Sequence, residues 1–207
     1  MASLYDRFIL PKLLGCSCSA PPVMKQRAKV VPGASGRVLE LGVGLGLNLA
    51  LYDPAKVESV TGVDPAPELR AAAEAAPRDP RLSVSVQDGT AEALPFEDRV
   101  FDCVVCTFTL CSVHTPATAL AEARRVLKPG GRFLFCEHGL APDADVVRWQ
   151  RRLEPIWKRI AGGCHLTRPV TSAIEAAGFE VTRRETMYIP GAPRFAGWSE
   201  WGEATPR

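Results

Sequence analysis

Residues 38–48 read VLELGVGLGLN, and the order of the fold follows from them. A short apolar run, Val38, Leu39 and Leu41, ends in glycines at alternate positions, Gly42, Gly44 and Gly46. Glycine has no Cβ, so such a turn bends tightly and lets a ligand lie against the backbone. Leu45 to Leu51 is expected to start a helix whose unpaired N–H groups face that ligand. Strand, glycine turn and helix form the first half of a nucleotide-binding βαβ unit.

A dinucleotide fingerprint requires G-x-G-x-x-G, and here Leu47 stands where the third glycine would be. Glu40, two positions before the first glycine, repels a pyrophosphate and suits a ligand with a cationic group nearby. The pattern E-x-G-x-G-x-G resembles motif I of the class I S-adenosylmethionine (SAM)-dependent methyltransferases, whose ligand carries an ammonium and a sulfonium. The resemblance implies SAM as cofactor, with Glu40, Gly42, Gly44, Gly46 and Asn48 among its contacts. It also implies an α/β fold: a Rossmann-like three-layer sandwich around a seven-stranded, mostly parallel sheet with the last strand antiparallel.

Downstream residues extend the pattern. Val57 to Val63 alternates like a second strand and ends at Asp64-Pro65, with Asp64 18 positions after Gly46. A carboxylate there accepts hydrogen bonds from both ribose hydroxyls, and it also fits as N-cap of the Ala-rich helix from Pro67 to Ala76. Leu82 to Val86 forms a third strand, followed by QDGTAEALPF. The family's matching segment reads G-D-A-E-x-L-P-F, so Gly89 fits, Thr90 replaces the acid and Asp88 lies one position early. Thr90 and the Ala91 backbone are expected to meet the adenine, with Asp88 as the other candidate. Phe101 to Cys106 reads as a central strand buried on both faces, so Thr107, Phe108, Leu110, Cys111 and Ser112 fall at its ligand-facing end.

Ala117 to Leu127 is an amphipathic helix stopped by Lys128-Pro129-Gly130-Gly131, and Arg132 to Cys136 is a fifth strand ending at Glu137-His138-Gly139. L-K-P-G-G-R-F resembles the matching turn of ubiquinone/menaquinone-type methyltransferases. Asp145 to Ile160 carries Val146, Trp149, Leu153, Ile156, Trp157 and Ile160 on one apparent inward stripe, with a kink expected at Pro155. VVCTFTLCSV, FCEHG, W-Q…L-x-P-x-W and GGCHLTR together resemble the alkyl-thiol methyltransferases of animals and their bacterial relatives. On that resemblance the expected activity is methyl transfer from SAM to a small acceptor, with a thiol preferred. His138 and His165 are the candidate bases, and Arg168 the candidate electrostatic stabiliser of a thiolate. His165 is as well explained by loop packing. Cys111, Trp157 and Cys164 are expected to line the acceptor side. Cys111 has no histidine at a catalytic spacing in sequence, so it is not read as a covalent nucleophile. A helix from Pro169 to Ala177, capped by Thr167 or Arg168, and strands at Phe179–Met187 and Ala196–Ala204 complete the chain.

Composition bounds the alternatives. The 207 residues fit one domain, read as an N-terminal helical cap over residues 1–36 and a methyltransferase domain over 37–207. A net charge of +2 with no basic block argues against nucleic acid. No apolar run is long enough for a bilayer, no signal-peptide pattern appears, and the seven cysteines are expected to be reduced in the cytoplasm. Cys103 and Cys106, three apart on a strand, point to opposite faces, and Cys16 and Cys18 have the wrong spacing for a zinc knuckle, so no metal is expected. The N-terminal segment, with Tyr5 and Phe8, is expected to cap the core and cover the acceptor rather than anchor at a membrane surface. The expected assembly is a monomer or homodimer. An N-, O- or C-methyltransferase on another small molecule or lipid headgroup is the nearest alternative, and a non-catalytic SAM-binding module the alternative of another class.

Overall fold

The computed structural model describes residues 15–207. The expected lid segment with Tyr5 and Phe8 lies outside them. Seven strands form one sheet: β1 (Gly36–Leu41), β2 (Val57–Val63), β3 (Ser83–Gln87), β4 (Phe101–Thr107), β5 (Leu127–His138), β6 (Phe179–Tyr188) and β7 (Trp198–Pro206). Their order across the sheet is β3-β2-β1-β4-β5-β7-β6. β7 alone is reversed, running antiparallel to both β5 and β6, while the other named pairs are parallel. This is the Rossmann-like, seven-stranded sandwich that the family resemblance implied.

Alternation along the strands builds the layers. Leu39, Leu41, Val104, Cys106, Phe133 and Phe135 pack on one face. They meet Leu120 and Ala123 of α3 (Pro116–Val126) and Val170 and Ile174 of α5 (Val170–Ala176). Val38, Val60, Cys103, Val105, Leu134 and Cys136 pack on the other, against Val30, Val31, Ala34 and Leu49. Cys103 and Cys106 thus fall in separate clusters, as their spacing requires. The helix α1 (Pro21–Arg27) precedes the sheet, and α2 (Pro67–Ala75) follows β2. Among the described residues no helix is long and apolar enough to cross a membrane.

Several local expectations change. Leu45 to Leu51 forms tight turns and a 3-10 turn at Leu49–Leu51 instead of an α-helix. Pro54 follows too soon for helix propagation, and the Asn48 side chain is drawn inward. The sequence suggests a helix from Pro22 through Val31 with Met24, Ala28 and Val31 inward; α1 instead ends at Arg27 and buries Gln26 and Arg27, Ala28 is exposed, and Val31 is buried in the turn beyond. The long helix α4 (Ala144–Ile160) runs through Pro155 as one element. Its stripe is not uniformly inward: Val146 and Gln150 are buried, while Trp149, Ile156 and Ile160 are 56%, 62% and 45% exposed. The N-cap of α5 is Pro169, without a side-chain cap, because Thr167 and Arg168 bond elsewhere.

The buried Gln150 explains how α4 is phased. Its Nε2 donates to the carbonyls of Gly139 (2.9 Å) and Phe195 (3.1 Å), and its Oε1 accepts from Ala141 N–H (3.0 Å). One amide therefore pins α4 to the segment leaving β5 and to the short helix α6 (Arg194–Gly197). Gln150→Leu takes the partner from three backbone groups, those of Gly139 and Ala141 buried, and is expected to destabilise the fold by about 1–3 kcal/mol, measured as a lowered denaturant midpoint.

Candidate active site

A cavity of about 760 Å³ lies beyond the carboxyl ends of the central strands, within the roughly 300–1,000 Å³ typical of small-molecule pockets. Gly42 and Gly44, then Asp64 and Pro65, then Gly89, Thr90 and Ala91, then Thr107, Phe108 and Ser112 contribute to its wall. Gly44 has φ +54°, and a Cβ built on it meets nothing closer than 3.8 Å, so its bare backbone faces open space. Asp64 ties the loops together, accepting from Gly44 N–H at 3.1 Å through one oxygen and from Ala66 N–H at 2.9 Å through the other. It does not cap α2, whose N-cap is Ala66. Burial raises the Asp64 carboxyl above its ordinary value despite those N–H groups and the nearby Arg70 charge. Asp88 is turned away in an exposed ion pair with Arg70 at 2.6 Å, while Thr90 is on the wall. Glu92 accepts from the N–H groups of His114 and Thr115, stitching the Thr90 wall to the far rim.

Glu40 and Asn48 lie beneath the floor instead of on it. Glu40 is 2% exposed and accepts from Asn48 Nδ2 (2.9 Å) and the Tyr52 hydroxyl (2.7 Å). Burial pushes its carboxyl up to about 7, against those hydrogen bonds and the Arg27 charge. Arg27, which the sequence did not single out, donates to Asn48 Oδ1 at 3.0 Å and to the Thr107 hydroxyl. Its guanidinium carbon lies 5.0 Å from the Phe108 ring centre, and its Nε is buried without a partner. Gly46 packs its backbone against Ala73 and Ala76 of the α2 region.

The turn after β4 carries the other half. Phe108 adopts φ +51°, a left-handed conformation that costs a bulky residue energy and is held only by its surroundings. The surroundings are Glu137, whose Oε1 accepts from Thr109 N–H (2.8 Å) and Leu110 N–H (3.1 Å), and Arg168, which donates to the carbonyls of Leu110 and Val113. Leu110 is therefore a core residue at 3% exposure, not a cavity wall, and Arg168 clamps the turn. His165 faces away: its ring lies 3.3 Å from Glu154, and its backbone N–H donates to the Cys111 carbonyl at 2.8 Å. Burial lowers its pKa. Glu154 also accepts from Leu166 N–H and from Thr167 N–H and hydroxyl, locking the Gly162–Thr167 turn to α4.

That turn delivers Cys164 to His138. His138 Nε2 is 2.9 Å from Cys164 Sγ, and the Trp157 indole N–H donates to the same sulfur at 3.3 Å. Cys111 completes a trio whose ligand-type atoms all lie within 4.8 Å of one another. The Cys164 thiol, and then the His138 ring, hold Cys111 well below the ordinary thiol range against burial. Cys164, bonded to that charge and buried, is pushed up. Burial lowers His138, and the Cys111 charge more than restores it, so the imidazole sits above its ordinary value. Cys111 Sγ also lies 3.4 Å from the hydroxyl of Ser112, a cavity-wall residue. The sequence marked each residue of the trio separately; nothing in its spacing joined them.

A methyltransferase-domain family model matches residues 39–135, the half containing the glycine turn. Rat thiol S-methyltransferase TMT1B is 38% identical over 180 residues, covering 82% of this chain and 73% of that protein. Human thiol S-methyltransferase TMT1A is 35% identical over 167 residues, covering 76% and 66%. The chain belongs to the class I SAM-dependent methyltransferases. Solved structures agree on the fold of this methyltransferase. A putative methyltransferase complexed with the Haloferax volcanii Trm112 activator superposes with TM-score 0.72 at 20% identity, covering 98% of this chain and 96% of that one. A SAM-dependent methyltransferase from Thermotoga maritima gives 0.63 at 23%, covering 89% of each. The cofactor is SAM, and the bare Gly44 backbone, the buried acid at the end of β2 and the unpartnered Arg27 Nε fit it.

Both Glu40 and Glu137 are raised to about 7, so the folded state binds protons that the unfolded chain has released. Their stabilisation is complete below the ordinary carboxylate value and is lost as pH rises through about 7. Glu40→Gln is expected to flatten, without abolishing, the fall in stability between pH 5 and pH 8, read from denaturant midpoints at the two pH values.

Proposed function

We propose that this enzyme is a thiol S-methyltransferase acting on a small acceptor. The observation that carries the reading is the extent of the likeness to the thiol S-methyltransferase of rat, which covers 82% of the chain. The family model ends at residue 135, so that likeness takes in chain beyond the cofactor half.

In this reading Asp64 holds the ribose, Thr90 and the Ala91 backbone hold the adenine, and the Gly42–Gly44 backbone accommodates the methionyl part. Arg27, at the floor, is the group for its carboxylate. Bound SAM supplies an electrophilic methyl group for in-line attack. The enzyme supplies approach geometry and exclusion of water, because a thiol near its reference pKa of about 8.5 is already partly ionised at neutral pH. Glu137 and Arg168 fix the Phe108–Val113 turn between cofactor and acceptor, and His138 stands at the acceptor end. His165 is a packing residue, locked to Glu154.

Two measurements check this. Asp64→Ala is expected to weaken SAM binding by about 1–3 kcal/mol by calorimetry, and unchanged affinity removes Asp64 from the ribose site. Methyl transfer assayed in parallel on short alkyl thiols, amines and phenols is expected to favour thiols. Turnover of an amine with inert thiols overturns the acceptor assignment and leaves the SAM site standing.

A further inference from the structure

The trio of Cys111, His138 and Cys164 is more than a hydrogen-bonded cluster. Two thiols and one imidazole converge from three separate segments: the turn after β4, the end of β5 and the loop after α4. Cys111 and Cys164 are held from behind. Glu137 and Arg168 fix the turn bearing Cys111, Trp157 donates to Cys164, and Glu154 anchors the loop just beyond Cys164. Gly162 and Gly163, at φ +60° and +81°, make the sharp reversal that returns Cys164 to the sheet edge. Cys111 and Cys164 are 3% and 8% exposed, so the sulfurs are shielded from bulk solvent.

We propose that Cys111 Sγ, His138 Nε2 and Cys164 Sγ bind a zinc ion, leaving its fourth position for the acceptor's sulfur. Zinc takes cysteine sulfur at about 2.3 Å and histidine nitrogen at about 2.0–2.1 Å, and catalytic zinc sites use three protein ligands with one open position. Tetrahedral geometry at those lengths sets the ligand atoms roughly 3.5–3.8 Å apart. The trio's 4.8 Å envelope encloses that arrangement, and the His138–Cys164 separation of 2.9 Å needs to open by only about 0.6 Å. The Trp157 N–H on Cys164 is the kind of outer hydrogen bond that orients a metal-bound thiolate. The earlier expectation of no metal considered cysteines close in sequence; these ligands are brought together only by folding.

The fourth-ligand role rests on the thiol-acceptor reading, while the ion site does not. An acceptor thiol entering the fourth position gives up its proton to solvent and remains as thiolate. Its sulfur then forms a bond to the methyl carbon of SAM as that carbon's bond to the sulfonium breaks. S-adenosylhomocysteine leaves, and the neutral thioether, a weaker zinc ligand than the thiolate, dissociates.

The test uses the full chain, purified without chelator or added metal, with zinc measured by plasma mass spectrometry. About one zinc per chain is expected, falling at least tenfold in Cys111→Ser and Cys164→Ser. Retained SAM binding by calorimetry shows that the Cys164→Ser variant is folded. Cobalt exchanged into the wild-type chain is expected to give sulfur-to-cobalt charge-transfer bands that shift on adding a short alkanethiol. A chain that binds neither ion, or one isolated with a Cys111–Cys164 disulfide and no metal, overturns the site even if it methylates thiols. A zinc-loaded chain whose cobalt bands ignore thiols overturns the fourth-ligand role, whatever the acceptor assay shows.

Discussion

Arg27 determines how the cofactor half is built. Its guanidinium reaches from α1 into the sheet edge, bonding Asn48 and Thr107, and Asn48 in turn bonds Glu40. Helix, first strand, glycine turn and fourth strand are thereby joined by one chain of buried polar groups. A buried guanidinium and a buried carboxyl group are each costly without hydrogen-bond partners, and Asn48 serves both. The arrangement therefore makes α1, within the residues 1–36 read as an N-terminal helical cap, part of the cavity floor. It also explains the tight turns at Leu45–Leu51: with Asn48 drawn under the floor, the glycine turn presents bare backbone to the cavity.

The fold was legible because its signals are local. Strand alternation, the glycine spacing and Lys128-Pro129-Gly130-Gly131 each act over a few residues. The same holds for Gly44, Asp64 and Thr90, which reach the cavity because they stand at the ends of their strands or just beyond. What stayed hidden depends on helix phase and distance. Arg27 lies in a short helix whose inward face cannot be read from seven residues, and α4 exposes Trp149 and Ile156 although their spacing matches an inward stripe. His165 and Arg168 carry suitable chemistry, yet each is engaged by a neighbour, Glu154 or the Leu110 and Val113 carbonyls, that no spacing rule connects to it.

The two halves of the site are made by different means, and this explains their unequal legibility. The cofactor wall is largely backbone, so it needs glycines and strand ends at set intervals, and a motif records it. The cluster beside it is made of side chains from Cys111, His138 and Cys164, and any path that returns the chain can bring them together. The Gly162–Gly163 reversal is such a path, and it leaves no fixed interval to read.

The cluster adjoins the cavity wall where Cys111 is followed by Ser112, and again where Gly162 precedes Cys164 by two residues. Consecutive Cα atoms are about 3.8 Å apart, so the spacing between the sulfur cluster and the cavity wall is set by the peptide chain once this turn is rigid. Methyl transfer demands that kind of control, because reacting atoms must approach to about 3–3.5 Å in line. Rigidity comes from Glu137 and Arg168, one taking the N–H groups of Thr109 and Leu110, the other the carbonyls of Leu110 and Val113. Opposite charges thus grip opposite backbone groups of one strained turn, and the cost of Phe108 at φ +51° is carried by that grip. Neither residue lines the cavity, so both act on it through the backbone of the turn they hold.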